Sequence, residues 1–407
     1  MKTLLSVNSY YYRRDGSETV YLGHNELFEQ CGWRVVPFAM KHPENLASEW
    51  SDHFVTDVEF GSDYSLWQKL VRVPKVIYSA EARRAIRRLI AKVEPDICQF
   101  HSIYHHLSPS ILSAVRQAGI PTIMTLHDLK IACPAYHMFS STEICERCKG
   151  GNLHNVIRHR CIKDSYALSS VVYVESVLHR LLGSYEDNVD RFVSPCRFYI
   201  DKLVQWGWPR ERFVHIPNFV DVEPAANGQP VGQSLLYLGR LSPEKGLQTL
   251  VRAVAAAGVT LRIAGHGPEQ QTLQEVATTV NADVQFLGYL DCARLKTEIL
   301  ASRATVLTSE WYENAPMSIL ESLALGRPVV GANIGGIPEL VRHGETGWLF
   351  ESGSVDELAA TLREVASTPE RRITEMGEVC QAIVGQEFSS ARYVERISNL
   401  YAELGVR

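Results

Sequence analysis

Apolar residues along this chain gather in short continuous blocks, separated by longer stretches in which they recur every third or fourth position. Blocks of that kind, bounded by Gly, Pro, Asn or Asp, read as buried strands, and the stretches between them as amphipathic helices. In the first half the pattern predicts strands over 3–8, 34–39, 97–101 and 122–126, with helices over 17–30, 79–92 and 109–117. The stretch 222–232 is rich in Pro, Gly and small residues and reads as a linker, after which strand–helix alternation begins again at Ser234. In this second half Asp291 is placed to N-cap one helix, and Ser354 with Glu357 to form a capping box on another. Two successive alternations predict an α/β chain with two doubly wound, Rossmann-like parallel sheets.

One helix of the second half carries unusual chemistry. In Glu313-Asn-Ala-Pro-Met-Ser-Ile-Leu-Glu321, the apolar residues Ile319, Leu320, Leu323 and Ala324 recur at helical spacing, Gly326 marks a stop, and Pro328-Val-Val330 opens a strand. Glu321 is then within a helix and Glu313 just before it. The N–H groups of Met317 and Ser318 fall in the first turn, where unsatisfied donors and a partial positive charge favour an anion such as a diphosphate. Upstream, Leu235-Leu-Tyr-Leu-Gly239 reads as a strand whose carboxyl end delivers Arg240 and Lys245, at the edge where open α/β sheets bind ligands. Two cations there suit a diphosphate leaving group. A lone pair of glutamates is ordinarily a solvated helix face; the neighbouring cations argue otherwise. Sugar hydroxyls, a diphosphate and ribose hydroxyls in one molecule describe a nucleotide sugar.

Composition narrows the alternatives. The 407 residues suffice for two domains of ordinary size, and 45% hydrophobic with 21% charged residues is the balance of a soluble globular protein. The net charge of −5 gives no support for nucleic-acid binding. No apolar run approaches the roughly 20 residues that span a bilayer, and the N-terminus turns polar too quickly for a signal peptide, so a cytoplasmic protein is expected. Nine cysteines without a secretory signal argue against a disulfide framework.

Six motifs then combine. Gly239-Arg-Leu-Ser-Pro-Glu-Lys-Gly246, Ala264-Gly-His-Gly-Pro268, Phe286-Leu-Gly288, the Glu313 to Glu321 segment, Gly326-Arg-Pro-Val-Val330 and Gly335-Gly-Ile-Pro-Glu339 follow one another in the order and approximate spacing of glycosyltransferase family 4. The chain resembles that family over essentially its whole length. The resemblance implies the GT-B fold, with two Rossmann-like domains facing across a cleft: 1–220 for the acceptor, with a Cys-rich insertion at about 130–165, 221–388 for the donor, and a helix at 389–407 returning to the first domain. It implies retaining transfer of a hexose from a UDP- or GDP-sugar to a carbohydrate or polyprenyl-linked acceptor. Arg240 and Lys245 would hold the donor diphosphate, Glu313 the hydroxyls of the transferred sugar, and Glu321 the ribose, with Gly288, Met317 and Ser318 completing the donor site. Asn314 stands where many members carry Gly, and Ser322 where many carry Ala.

In the first half, Gly16 lies in a turn after the first strand where the family usually has two glycines near the donor phosphate; here Ser17 takes the second place. His127 ends the strand Ile123-Met-Thr-Leu126 and is followed by Asp128. The resemblance puts such a histidine opposite the donor sugar, and His101, ending the preceding strand, can lie beside it. No acid and base carboxylate pair of the glycosidase kind is identifiable, which leaves a reaction in which the departing diphosphate takes the acceptor proton. No Asp-x-Asp stands in a metal-binding context, so no catalytic metal is expected.

Two features stay outside that scheme. Cys133, Cys145, Cys148 and Cys161 follow His127 in a polar stretch and include a C-x-x-C pair, so four thiolates could close a structural zinc site; a set of reduced thiols is the other reading. The helix over 79–92 turns Arg83, Arg84, Arg87 and Arg88 away from its apolar face, as a solvated surface or as a peripheral contact with anionic lipid. The rival functions are a GT-B-shaped binding protein without transfer, against which the full set of charged residues argues, and a zinc or redox module built on the cysteines. A dinucleotide oxidoreductase is disfavoured, since no Gly-x-Gly-x-x-Gly turn follows the first strand.

Overall fold

The structure is a computed structural model that describes residues 1–57, 74–140, 143–221 and 230–406. The linker expected over 222–232 therefore lies largely outside the described residues. The chain divides into two compact units: Met1–Met138 with Glu146–Ile216 and Val394–Arg407, and Phe139–Cys145 with Pro217–Tyr393.

In the first unit, strands β1 (Thr3–Val7), β2 (Arg34–Phe38), β3 (Ile97–Phe100) and β4 (Thr122–Thr125) are followed by the short antiparallel pair β5 (Phe139–Ser140) and β6 (Glu143–Ile144), which belongs elsewhere, and then by β7 (Arg191–Ser194) and β8 (Phe213–His215). The sheet runs β2-β1-β3-β4-β7-β8 with every pairing parallel. These strands are nearly continuous apolar runs because helices cover both faces. Each predicted strand ends one residue later than the observed one, yet Asn8, His101 and Leu126 still donate across the sheet, to Phe38, Val7 and Val193. Helix Gly16–Gln30 follows β1, and helix Ala80–Val93 buries Ala85, Ile86, Leu89 and Ile90, as the periodicity predicts.

Helix Ser390–Glu403, from Val394 onward, completes this unit. Tyr401, fully buried, donates to Gln99 Oε1 at 2.5 Å, with its ring 5.3 Å from Phe28 and 5.5 Å from Trp33 between centroids.

The second unit holds β9 (Leu235–Leu238), β10 (Leu261–Ala264), β11 (Val284–Gly288), β12 (Ala304–Leu307), β13 (Val329–Ala332) and β14 (Gly347–Phe350) in the order β11-β10-β9-β12-β13-β14, again all parallel. Alternation along β9 divides the core: Leu235 and Tyr237 join the larger cluster, and Leu236 and Leu238 the smaller one on the opposite face. Asp291 caps its helix by accepting from the Arg294 N–H at 2.9 Å. The capping box at Ser354 is only half made. Ser354 accepts from the Glu357 N–H, but its own N–H already donates to Glu351 O, so the Glu357 carboxylate turns to the Glu351 N–H at 2.6 Å instead.

Among the described residues no helix is long and apolar enough to cross a membrane.

Candidate active site

The order of the second sheet reverses direction between β9 and β12, and such a switch point opens a crevice at the carboxyl ends of its strands. Lys245 follows β9 and Glu313 follows β12, so the topology brings them together although 68 residues separate them. Lys245 Nζ donates to Glu313 Oε1 at 2.5 Å, and the Ser309 hydroxyl donates to the same oxygen at 2.5 Å. Lys245 also stands 5.2 Å from the centre of the Trp311 ring. Burial alone would raise the Glu313 carboxyl, but Lys245 and then the Ser309 hydroxyl hold it below its ordinary range. Glu313 is therefore a buried carboxylate that stays ionised, in the form that accepts hydroxyl hydrogen bonds.

Two glycines allow this arrangement. Gly246, at φ +63, turns the chain directly after Lys245; a Cβ there would stand 2.2 Å from Thr308 O, while the Thr308 hydroxyl donates to Lys245 O at 2.9 Å. Gly335, at φ +60, lies against the backbone of Glu313, where a Cβ would stand 2.4 Å from Glu313 O. The neighbouring Gly336 N–H donates to that oxygen at 2.8 Å. Behind the site, Asn218 Nδ2 donates to Ala315 O at 3.0 Å and pins the approach to the next helix.

That helix, Met317–Ala324, starts at Pro316 with no side-chain cap. The donors of Met317 and Ser318 are thus at an uncapped N-terminus beside the Lys245–Glu313 pair. Glu321 lies within the helix and is half-buried. Arg240 is exposed just after β9, and Gly288 ends β11, its carbonyl accepting from the Gly265 N–H at 2.8 Å.

In the first unit, His127 and His101 emerge from the carboxyl ends of the adjacent strands β4 and β3. Their rings stack at 5.1 Å and 20°, with His101 Nδ1 2.9 Å from His127 Nε2. Burial lowers His127 to about 4 and His101 further below the usual histidine range, so both are neutral at pH 7. With Nε2 of His127 engaged, its Nδ1 is the ring atom left to meet a ligand. Asp128 is pushed up to about 6 by burial, against the Lys130 N–H that donates to it at 2.8 Å.

Gly16 opens helix Gly16–Gln30, and two positions on, the buried Glu18 takes hydrogen bonds from Ser17 at 3.0 Å and Asn8 at 3.4 Å. Burial raises its carboxyl. The sequence pattern placed an anion near this turn without counting Glu18, which sits in the same first turn. Gly335, Ser309 and Trp311 were missed as well; only Gly335 carried a signal, in its Gly-Gly-Ile-Pro-Glu motif. As for the cysteines, Cys133 and Cys148 are buried and Cys145 and Cys161 partly so, and among the described residues no group of three or more His, Cys, Asp or Glu could hold a metal ion. The zinc expectation gains no support from the structure.

The model of the family described as Glycosyltransferase Family 4 matches residues 14–224, more than half of the chain, and that of Glycosyl transferases group 1 matches 224–378. The chain belongs to glycosyltransferase family 4. A lipopolysaccharide core biosynthesis glycosyltransferase of Rhizobium meliloti is 31% identical over 233 residues, 54% of this chain and 65% of that protein. A GDP-mannose-dependent mannosyltransferase of Corynebacterium glutamicum is 30% identical over 46% of this chain and 55% of its own. The chain spans about a third to two thirds of the length of the curated relatives it matches. Among solved structures, sucrose-phosphate synthase from Thermosynechococcus elongatus superposes with a TM-score of 0.73 at 18% identity, covering 99% of both chains. Anabaena HepE, in complex with UDP and glucose, gives 0.69 at 18% identity over 99% of this chain and 100% of its own. This family member therefore has the GT-B fold.

Proposed function

We propose that this glycosyltransferase is a retaining, metal-independent enzyme that moves a hexose from a UDP- or GDP-sugar onto a carbohydrate or polyprenyl-linked acceptor, in the synthesis of a polysaccharide or glycoconjugate. The observation that carries the reading is the part-buried Lys245–Glu313 pair at the switch point of the second sheet, beside an uncapped helix N-terminus. Glu313, ionised, accepts hydrogen bonds from hydroxyls of the transferred sugar. Lys245 and Arg240 take the charge that develops on the diphosphate, and the N–H groups of Met317 and Ser318 add to it. Glu321 takes the ribose, and Gly288 lets the backbone pass close to the nucleotide. In the first unit, Gly16 and neutral His127 are the residues proposed to take part.

With no second carboxylate placed as a base, the departing diphosphate oxygen accepts the acceptor's proton as the new glycosidic bond forms on the same face. The charge stabilisation needed is then all within reach of side chains and amides, with no role for a divalent cation. Contact with an anionic membrane surface belongs to the same reading. Arg84, Arg87 and Arg88 are exposed along helix Ala80–Val93, and among the described residues none of them has an ion-pair partner.

The test is a panel of nucleotide sugars scored by thermal shift and donor hydrolysis. A ligand bound only to the folded state raises its melting temperature by mass action. A UDP- or GDP-hexose should stabilise the protein and be hydrolysed slowly without acceptor, with EDTA making no difference. Stabilisation by no nucleotide sugar, or activity abolished by EDTA, would overturn it.

A further inference from the structure

Large apolar side chains that face solvent are concentrated in one place. Of eleven among the described residues, five stand on helix Tyr166–Leu181 or directly at its end: Tyr166, Val174, Leu178, Leu181 and Leu182. Leu181 is 77% and Leu182 65% exposed. With Ala167 and Val171 they recur at helical spacing and form one face that no charged residue interrupts. A surface helix ordinarily turns its charges outward and its leucines in. This one is inverted: Glu175 and His179 are buried, Glu175 against Lys130 at 3.0 Å, while the leucines face out. A continuous apolar face of this kind marks a surface that meets a partner.

The charges along its border point to the kind of partner. The Arg180 guanidinium lies against the Gly151 backbone, and helix Asn155–Arg158 packs on helix Tyr166–Leu181, so the segment 147–163 runs beside the apolar face. That segment exposes Arg147, Lys149, Arg158, Arg160 and Lys163 and contains no acid. Among the described residues Lys149, Arg158 and Arg180 have no ion-pair partner, whereas Arg160 meets Asp164 at 3.2 Å and stands 5.5 Å from the centre of the Tyr166 ring. At the other end His179 Nε2 donates to Ile77 O at 2.7 Å, which brings the half-exposed Tyr78 and the start of helix Ala80–Val93 up to the end of the face. A second copy seated here would bring a second cationic border with only Glu186 and Asp187, beyond the helix, to set against it. An anionic bilayer meets both halves of the surface: acyl chains take the leucines, headgroup phosphates the cations, and tyrosine rings suit the level between them.

We propose that helix Tyr166–Leu181 is a membrane-docking element, with Val174, Leu178, Leu181 and Leu182 among the acyl chains of an anionic bilayer and Lys149, Arg158 and Arg180 on its headgroups. It rests on the membrane contact in the proposed function and adds the surface that inserts, because the exposed arginines of helix Ala80–Val93 supply charge alone. A lipid-linked acceptor would then reach the enzyme by diffusion within the membrane plane.

Flotation of the full protein with vesicles of equal parts phosphatidylcholine and phosphatidylglycerol, against vesicles of phosphatidylcholine alone, tests it. The wild type should float with the anionic vesicles and keep part of that binding at high salt. The double variant Leu181→Ser,Leu182→Ser should bind about 10–100-fold more weakly, and salt should remove what is left. Arg158→Ser,Arg180→Ser should lose the preference for anionic over neutral vesicles. These side chains face solvent, so neither variant should melt lower than the wild type; if the leucine pair does not fold, Leu181→Ser decides alone. Binding unchanged by the leucine variants but lost in Arg84→Ser,Arg87→Ser,Arg88→Ser would overturn the insertion and keep the membrane contact. No flotation of the wild type would overturn both. Light scattering that gives a dimer for the wild type and a monomer for the leucine pair, without flotation, would make a second copy the occupant and overturn the proposal as well. Failure of the donor reading appears separately, as absence of a nucleotide-sugar thermal shift in the wild type.

Discussion

Gly335→Ala should damage transfer far more than it damages stability. A Cβ at Gly335 would stand 2.4 Å from Glu313 O and 2.5 Å from Glu313 N, whereas ordinary contact begins at 3.4 Å. Either Glu313 or the Gly335 turn must therefore move by 3.4 − 2.4, or 1.0 Å. Misplacing a reacting or positioning group by that much costs on the order of 10²-fold in rate. The residue also adopts φ +60, which costs an L-residue about 1–2 kcal/mol. Gly258 is the matched control: it has φ +69 and nothing within 4 Å of its Cβ position, so Gly258→Ala meets the backbone cost alone. For a unit of this size each kcal/mol lowers the melting temperature by about 2–4 °C. Both variants should melt a few degrees lower. Only Gly335→Ala should lose turnover, measured as hydrolysis of the nucleotide sugar that the donor screen identifies. Equal rates for the two variants would refute the role given to the Gly335–Glu313 contact.

Other outcomes follow from the same geometry. Arg240→Ala and Lys245→Ala should each lower transfer by about 10²–10³-fold with the fold intact, as read by kinetics alongside circular dichroism; near-normal turnover in the double variant would remove the donor-site assignment. His101→Phe keeps a ring beside His127 but removes the partner of its Nε2, and should lower turnover about 2–10-fold with little change in donor affinity. Burial alone would raise the Glu175 carboxyl, but Lys130 first and His105 after it depress it to about 2. A carboxylate with a depressed folded pKa stabilises above its unfolded value of about 4.3 and loses that contribution as pH falls toward the folded one. Glu175→Gln leaves Lys130 without its counter-charge, so it should cost about 3–5 kcal/mol at pH 7 and flatten the fall of melting temperature between pH 5 and 3. Elemental analysis of protein purified without a polyhistidine tag decides whether Cys133, Cys145, Cys148 and Cys161 hold zinc.

Much of this was legible in the residues. Glu313, Lys245 and Met317 could be located because strand ends, helix starts and charged side chains are local signals that recur at known offsets. That His101 can lie beside His127 was readable too, from two histidines ending successive strands, though not that their rings stack. What the residues could not reveal was which strand ends meet. Lys245 and Gly335 reach Glu313 only through the order β9-β12-β13, and sheet order is decided by packing across the whole unit, whereas Ser309 meets Glu313 within one loop whose conformation no motif announced. Glu18 escaped notice for a similar reason: nothing in its neighbours shows that Asn8, on the preceding strand, will draw its carboxyl inward. The reciprocal half of the Ser354 box failed because Glu351, outside the motif, already held the N–H it needed.

The return of Tyr401 to a core begun by Thr3–Val7 sets an order on how the molecule is made. Ribosomes deliver residues from the amino end at about 5–20 per second, so everything between Ile216 and Val394 emerges before the first unit can close. That interval is on the order of ten to thirty seconds. The second unit, almost entirely one continuous run, is able to finish while the first still waits with Phe28, Trp33 and Gln99 uncovered. A nascent chain of this kind presents an aromatic gap to the cell during its own translation, and the surface that a chaperone would meet is the one that helix Ser390–Glu403 later seals.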